Sequence, residues 1–103
     1  MAHVTVKPAD AVLVQPGAVV SKVLHRDDDM DVTAFAFDAG EGLTEHTTPR
    51  PAIVEVLFGR LRFGVDDEEI DAVPGTWIQM DRGTPHTLVA QEPTVMLLIL
   101  LRA

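Results

Sequence analysis

Two histidines stand where this chain could do chemistry. His46 lies in Thr44-Glu45-His46-Thr47-Thr48, where an extended backbone would turn Thr44, His46 and Thr48 to one face. His86 follows the turn Gly83-Thr84-Pro85 and opens the strand-like run His86-Thr87-Leu88-Val89-Ala90. Forty positions separate them, and a small barrel could bring the two together. Paired imidazoles can hold a divalent transition metal through their ring nitrogens, or one of them can act as a general base in a partly dry pocket. The chain contains no cysteine, so a thiolate metal site, a disulfide framework and a cysteine nucleophile are excluded. His3 and His25 sit in no motif and beside no second ligand, and are read as structural or exposed.

The elements that must position this pair read as strands. Ala11 to Val14 and Ala18 to Leu24 are rich in valine and leucine, broken by Pro16-Gly17. In the run from Asp31 to Asp38, Thr33, Phe35 and Phe37 alternate with Val32, Ala34 and Ala36, a two-residue period. Leu43 to Thr48 follows as a strand. Pro49-Arg50-Pro51 blocks helix, and Ala52 to Leu57 then runs into Gly59, a predicted bend. Beyond it Leu61, Phe63 and Val65 alternate with Arg60, Arg62 and Gly64. Short strands are predicted at Ile70 to Val73, Thr76 to Met80 and His86 to Ala90, and a last one at Thr94 to Leu101 that is apolar on both faces. Turn signals recur about every eight to twelve residues and no long helical period interrupts them, which points to an all-β sandwich or barrel.

Composition bounds the rest. A chain of 103 residues is read as one domain, 1–103, able to bury a modest core without staples. Sixteen acidic against eight basic residues give a formal charge of −8 with no basic stripe, and a single tryptophan with no tyrosine offers no stacking platform, so nucleic acid is not an expected partner. The acidic runs Asp27 to Asp31 and Asp66 to Glu69 lack the spaced ligands of a calcium loop and read as solvated hairpin turns. No signal peptide opens the chain, and the most apolar run, residues 95–101, is too short to span a bilayer. A soluble, cytoplasmic protein with no membrane partner is expected. A last strand apolar on both faces needs an outer cover, and a second subunit is the simplest one; a homodimer through Val95 to Leu101 and the N-terminal strands is therefore predicted.

These residues resemble the cupins, small jelly-roll barrels. The family's first motif, G-x5-H-x-H-x(3,4)-E-x6-G, is met at 40–59 by Gly40, His46 and Gly59, and its second, G-x5-P-x-G-x2-H-x3-N, at 75–90 by Gly75, Gly83 and His86. The second histidine of the first motif falls on Thr48 and its glutamate on Ala52; in the second motif the proline falls on Asp81 and the asparagine on Ala90. Two of the four metal ligands that the resemblance implies are thus replaced. The resemblance implies a jelly-roll β-barrel with a small-molecule site inside and, in metal-binding members, a divalent metal such as Zn, Ni, Fe or Mn; no organic cofactor is implied.

Within that frame His46 and His86 are the candidate metal ligands and catalytic groups. Glu55 is the candidate third group, although its odd spacing from Ala52 turns it outward on a regular strand; a bulge after Pro51 would reverse that parity. Thr44 and Thr48, on the face of His46, are placed in the ligand pocket. Phe35, Phe37, Phe63, Trp77, Met80 and Met96 are the large side chains available to line or floor it. Strand parity leaves open which of Trp77 and Met80 faces inward. Arg50, between two prolines at the rim, either meets an anionic substrate or is solvated. Two functions follow as expectations: a small-molecule-binding barrel with metal-dependent isomerase, oxygenase or proton-transfer chemistry on His46 and His86, or a metal-free binding or sensing module whose histidines only hydrogen-bond the ligand.

Overall fold

The computed structural model describes residues 3–102. A single helical turn, α1 (Pro8–Ala11), precedes nine strands: β1 (Val19–Arg26), β2 (Met30–Phe37), β3 (Gly42–His46), β4 (Ala52–Phe58), β5 (Leu61–Val65), β6 (Glu68–Ala72), β7 (Trp77–Met80), β8 (His86–Ala90) and β9 (Thr94–Leu101). They form two antiparallel sheets, one ordered β1-β2-β9-β4-β7 and the other β3-β8-β5-β6. The all-β fold expected from the alternation is observed.

Alternation also decides what fills the space between the sheets. Phe37, Val54, Val56, Leu61, Phe63, Met80, Leu88 and Met96 interlock there, with Phe35, Leu98 and Leu100 packed against them. The opposite face of β2 carries Ala34 and Ala36, which are fully buried under Val12 and Val14 together with Val95. Small side chains on that outer face let the N-terminal segment lie close against the sheet, so the chain itself covers part of β9. Farther along β9, Leu97, Ile99 and Leu101 are half-buried. Among the described residues no helix is long and apolar enough to cross a membrane.

The first predicted strand, Ala11 to Val14, is a correction. Pro8 stands in the first turn of α1, where its fixed φ suits a helix, and Asp10 N–H donates to the Lys7 carbonyl. Val12 to Val14 then runs outside any strand, with Val12 and Val14 packed against the sheet and Leu13 exposed. Apolar content there signals burial against a sheet rather than membership in one. β1 also continues past Leu24 to Arg26, whereas β3 stops at His46, short of the predicted Thr48.

All turns at one end of the sandwich belong to the site. The segments 27–29, 47–51, 66–67 and 81–85 and the residue after β9 meet there, because β1, β3, β5, β7 and β9 end at it and β2, β4, β6 and β8 begin at it. Backbone hydrogen bonds tie them together: Gly83 N–H to the Thr48 carbonyl (2.8 Å), Asp66 N–H to Pro85 (3.3 Å), Leu101 N–H to Pro51 (2.9 Å) and Arg102 N–H to Asp29 (2.8 Å).

Candidate functional site

His46 is the last residue of β3 and His86 the first of β8, and the two stand directly opposite each other in the sheet. Their ring centroids lie 4.0 Å apart at 60°. A register shift between Leu43 and His46 produces this pairing. Leu43 packs against the core and His46 meets His86, although they are three residues apart; the extra residue of the bulge absorbs the odd spacing. Thr44 is thereby exposed, off the face where simple alternation put it.

The two imidazoles are held alike. His46 Nδ1 lies 2.7 Å from the Thr44 carbonyl, and His86 Nδ1 lies 2.9 Å from the Thr84 carbonyl. A carbonyl oxygen only accepts, so each Nδ1 carries the hydrogen and donates it, and in the neutral ring this leaves the lone pair on Nε2. Phe63, fully buried, stacks parallel to His86 at 5.9 Å and 2°. Burial pushes the His86 imidazole below its ordinary pKa, the nearby His46 adds to this, and the hydrogen bond to Thr84 works against it. His86 is therefore neutral at neutral pH.

The remaining candidates fall into three places. Phe63, Met80 and Met96 are buried between the sheets, as are Phe37 and, in part, Phe35. Thr48 lies in the β3–β4 segment, where its hydroxyl donates to the Arg50 carbonyl (2.7 Å) and its own carbonyl takes the Gly83 N–H; it clamps two mouth loops together. Glu55 and Trp77 face outward. On β4 the buried residues are Ala52, Val54 and Val56, and Glu55 stands between them on the opposite face, paired across the sheet with Trp77, which is 54% exposed. The bulge that could have turned Glu55 inward is not after Pro51; the register shifts only between Val56 and Phe58, beyond Glu55.

Arg50 is half-buried and ion-paired. Its Nη2 lies 2.6 Å from Oδ2 of Asp31, whose Oδ1 takes Arg102 Nη2 (2.7 Å) and stands 3.3 Å from Arg26 Nε. Asp31 is buried, and the hydrogen bond from Arg50, joined by Arg102, holds its carboxyl below the usual carboxylate range against the opposing effect of burial. Sequence reading passed over this residue by assigning it to the acidic turn. Its signal was parity: Asp31 shares the phase of Thr33, Phe35 and Phe37, so a carboxylate stands in line with core positions. Asp31, Leu100, Ala52 and Met80 form one cross-strand row, facing the row His46, His86 and Val65 of the other sheet. Beside His86, an open cavity of about 300 Å³ is lined by Val65, Asp66, Gln79, Met80, Asp81 and Thr84.

Two Nε2 lone pairs are half of a tetrahedral metal site. The positions that would complete it carry Thr48, whose hydroxyl is engaged, and Ala52, which has no donor; among the described residues no three His, Cys, Asp or Glu side chains are grouped to hold a metal ion. The protein's own donors therefore do not fit a three- or four-ligand metal centre. What the pair offers by itself is two imidazoles on adjacent strands, each held through Nδ1, whose Nε2 atoms can take a hydrogen bond or a proton from a bound molecule.

Comparison with known proteins agrees with this architecture. No curated protein matches the chain. Among solved structures, a conserved protein of unknown function from Streptococcus pyogenes is 29% identical with a TM-score of 0.86, over 100% of this chain and 90% of that one. A cupin 2 conserved barrel domain protein from Leptotrichia buccalis is 34% identical with a TM-score of 0.85, over 91% of this chain and 46% of that longer one. KdgF from a Halomonas species is 27% identical with a TM-score of 0.76, over 89% and 86%. The family model described as the Cupin domain matches residues 33–100, from the middle of β2 to the end of β9 and through both histidines, and the chain belongs to the cupin family.

Proposed function

We infer that the protein binds a small molecule at the mouth of its barrel, with His46 and His86 presenting their Nε2 atoms to a donor group of that molecule. The single observation that carries this reading is the matched pair of Nδ1 to carbonyl hydrogen bonds, which fixes both tautomers and leaves both lone pairs free. The neutral His86, stacked on Phe63, is suited to take a proton from a weakly acidic O–H, N–H or activated C–H of the ligand. Binding or sensing follows from the acceptors alone; proton-transfer chemistry follows if the ligand's donor is acidic enough.

A second reading rests on the same hydrogen bonds, because imidazoles that ligate a metal are commonly oriented through the other ring nitrogen. In it a divalent transition metal such as Zn, Ni, Fe or Mn binds the two Nε2 atoms, with ligand or solvent oxygen in the other positions. A fragment screen by NMR, run beside elemental analysis of tag-free protein, separates the two. The first reading expects fragments whose contacts map to His46 and His86, loss of that binding in the His46→Ala, His86→Ala double variant, and no stoichiometric metal. About one metal per chain, lost in the double variant, selects the second. Fragment binding unaltered by the double variant rejects both.

The homodimer is retained as a proposal. Ile53, Leu97 and Ile99 form an apolar, half-buried strip on the outer face of the larger sheet, bordered by Glu55, which pairs with both Leu97 and exposed Trp77, and lying beyond the cover given by Val12 and Val14.

A further inference from the structure

We propose that Arg50 anchors an anion subsite at the barrel mouth and takes a carboxylate group of the small molecule that binds against His46 and His86. The proposal deepens the binding reading above and rests on it for the second contact. Arg50 has the least exposed side chain of the ion-paired arginines, at 25%, and only its Nη2 is used, on Asp31. Its Nη1 is buried with no hydrogen-bond partner. Buried donors are almost always paired, and an unpaired one marks a place where an acceptor belongs. Asp31 cannot supply it, since Oδ2 is engaged by Arg50 Nη2 and Oδ1 by Arg102.

Charge and position select the occupant. Three guanidinium groups, Arg26, Arg50 and Arg102, surround the one carboxylate of Asp31, so positive charge exceeds negative within this cluster itself, in a chain whose formal charge is −8. The adjoining turn carries Asp27, Asp28 and Asp29, and the cavity beside His86 carries Asp66 and Asp81, so a singly charged group is favoured over a dianionic phosphate. A planar carboxylate also matches the planar donor edge of a guanidinium. Arg50 is four residues beyond His46 in the same segment, and Thr48 between them fixes the backbone through its bond to the Arg50 carbonyl. An anion held by Arg50 and a donor group held by the histidines thus fall at one barrel end.

The test is a titration of ¹⁵N-labelled full-length protein with sodium benzoate, with benzamide as the uncharged molecule of the same shape and with inorganic phosphate. Wild type is expected to bind benzoate more tightly than either of the others, with amide shifts at residues 46–52. Arg50→Gln is expected to weaken benzoate at least about tenfold, the loss of a charge-assisted hydrogen bond, and to leave benzamide unchanged. Arg50→Lys keeps the charge without the planar edge and should fall between. Native amide spectra of the variants establish that they are folded, and Asp31 keeps Arg102 and Arg26 in both. Equal benzoate affinity in wild type and Arg50→Gln, equal affinity of wild type for benzoate and benzamide, tighter phosphate binding, or no benzoate binding at all would each overturn the subsite. The His46→Ala, His86→Ala double variant reports separately: if it weakens benzoate and benzamide alike while Arg50→Gln changes neither, the histidine reading stands and the anchor fails. If Arg50→Gln weakens benzoate and the double variant does not, the anchor stands and the histidine reading fails.

Discussion

Replacing Phe63 by alanine should damage the fold and the site together, for one physical reason. Phe63 is fully buried between the sheets and lies flat against His86, with 5.9 Å between ring centroids and 2° between planes. Truncating a buried phenylalanine removes its transfer free energy and leaves a cavity, about 3–5 kcal/mol together. A domain of this size holds about 5–15 kcal/mol in all, so Phe63→Ala should remain folded at 25 °C only narrowly, with Tm lowered by on the order of 15–30 °C. Phe58→Ala supplies the contrast, since Phe58 is 54% exposed and its truncation should cost about 0.5 kcal/mol or less. The same cavity admits water to the imidazole. Burial is the leading cause of the lowered His86 pKa, so that pKa should rise toward its ordinary value in Phe63→Ala. Denaturant unfolding measures the first effect, and NMR titration of the histidine ring measures the second. Equal destabilisation by the Phe63 and Phe58 variants, or an unmoved His86 titration in Phe63→Ala, would refute the packing assigned to this ring.

Other expectations follow from the same geometry. Stability should fall on acidification in two windows: His86, with its folded pKa lowered, contributes stability present above about pH 6.5 and lost as pH falls through the folded value, and Asp31 contributes stability present above its unfolded pKa and lost as pH falls through its own lower folded value. Urea midpoints across pH should show both declines, and Asp31→Asn should shrink only the more acidic one, to which Asp27 and Asp71, also held below the usual carboxylate range by their hydrogen-bond partners, contribute. Gly83→Ala should cost about 1–2 kcal/mol from its φ of +79° alone, since a Cβ there meets open space; Gly59→Ala, at φ +86°, should cost more because its Cβ would run into the Pro93 carbonyl and Thr94. Equal unfolding free energies for the two variants would contradict this. Light scattering should give the mass of a dimer for wild type and of a monomer for Leu97→Glu, and a wild-type monomer would end the dimer proposal.

Much of the fold could be read from alternation, because a two-residue period states which side chains share a face even before their partners are known. Phe35 and Phe37 inward and Ala34 and Ala36 on the other face came from it directly. His46 and His86 were legible from their glycine-bracketed settings, and the structure sets them opposite each other. Alternation failed where the period broke. The bulge before His46 exposes Thr44, and no residue type in Thr44-Glu45 announces a bulge. Val12 and Val14 looked like strand residues because burial against a sheet face demands the same side chains as membership in a sheet. The Asp31 cluster was hidden for another reason. Its partners Arg26, Arg50 and Arg102 are scattered along the chain, and pairing at that range is a property of topology, not of spacing.

The central claim is that His46 and His86 each donate from Nδ1 to a backbone carbonyl and keep Nε2 for a bound molecule. Long-range ¹H–¹⁵N correlation spectra of the two rings at pH 7.5, assigned through the single His46→Ala and His86→Ala variants, test it most directly. The account requires a protonated Nδ1 and an unprotonated Nε2 on both rings, with His86 remaining neutral below the ordinary histidine pKa. An Nε2–H tautomer on either ring, or a charged His86 at that pH, would contradict it.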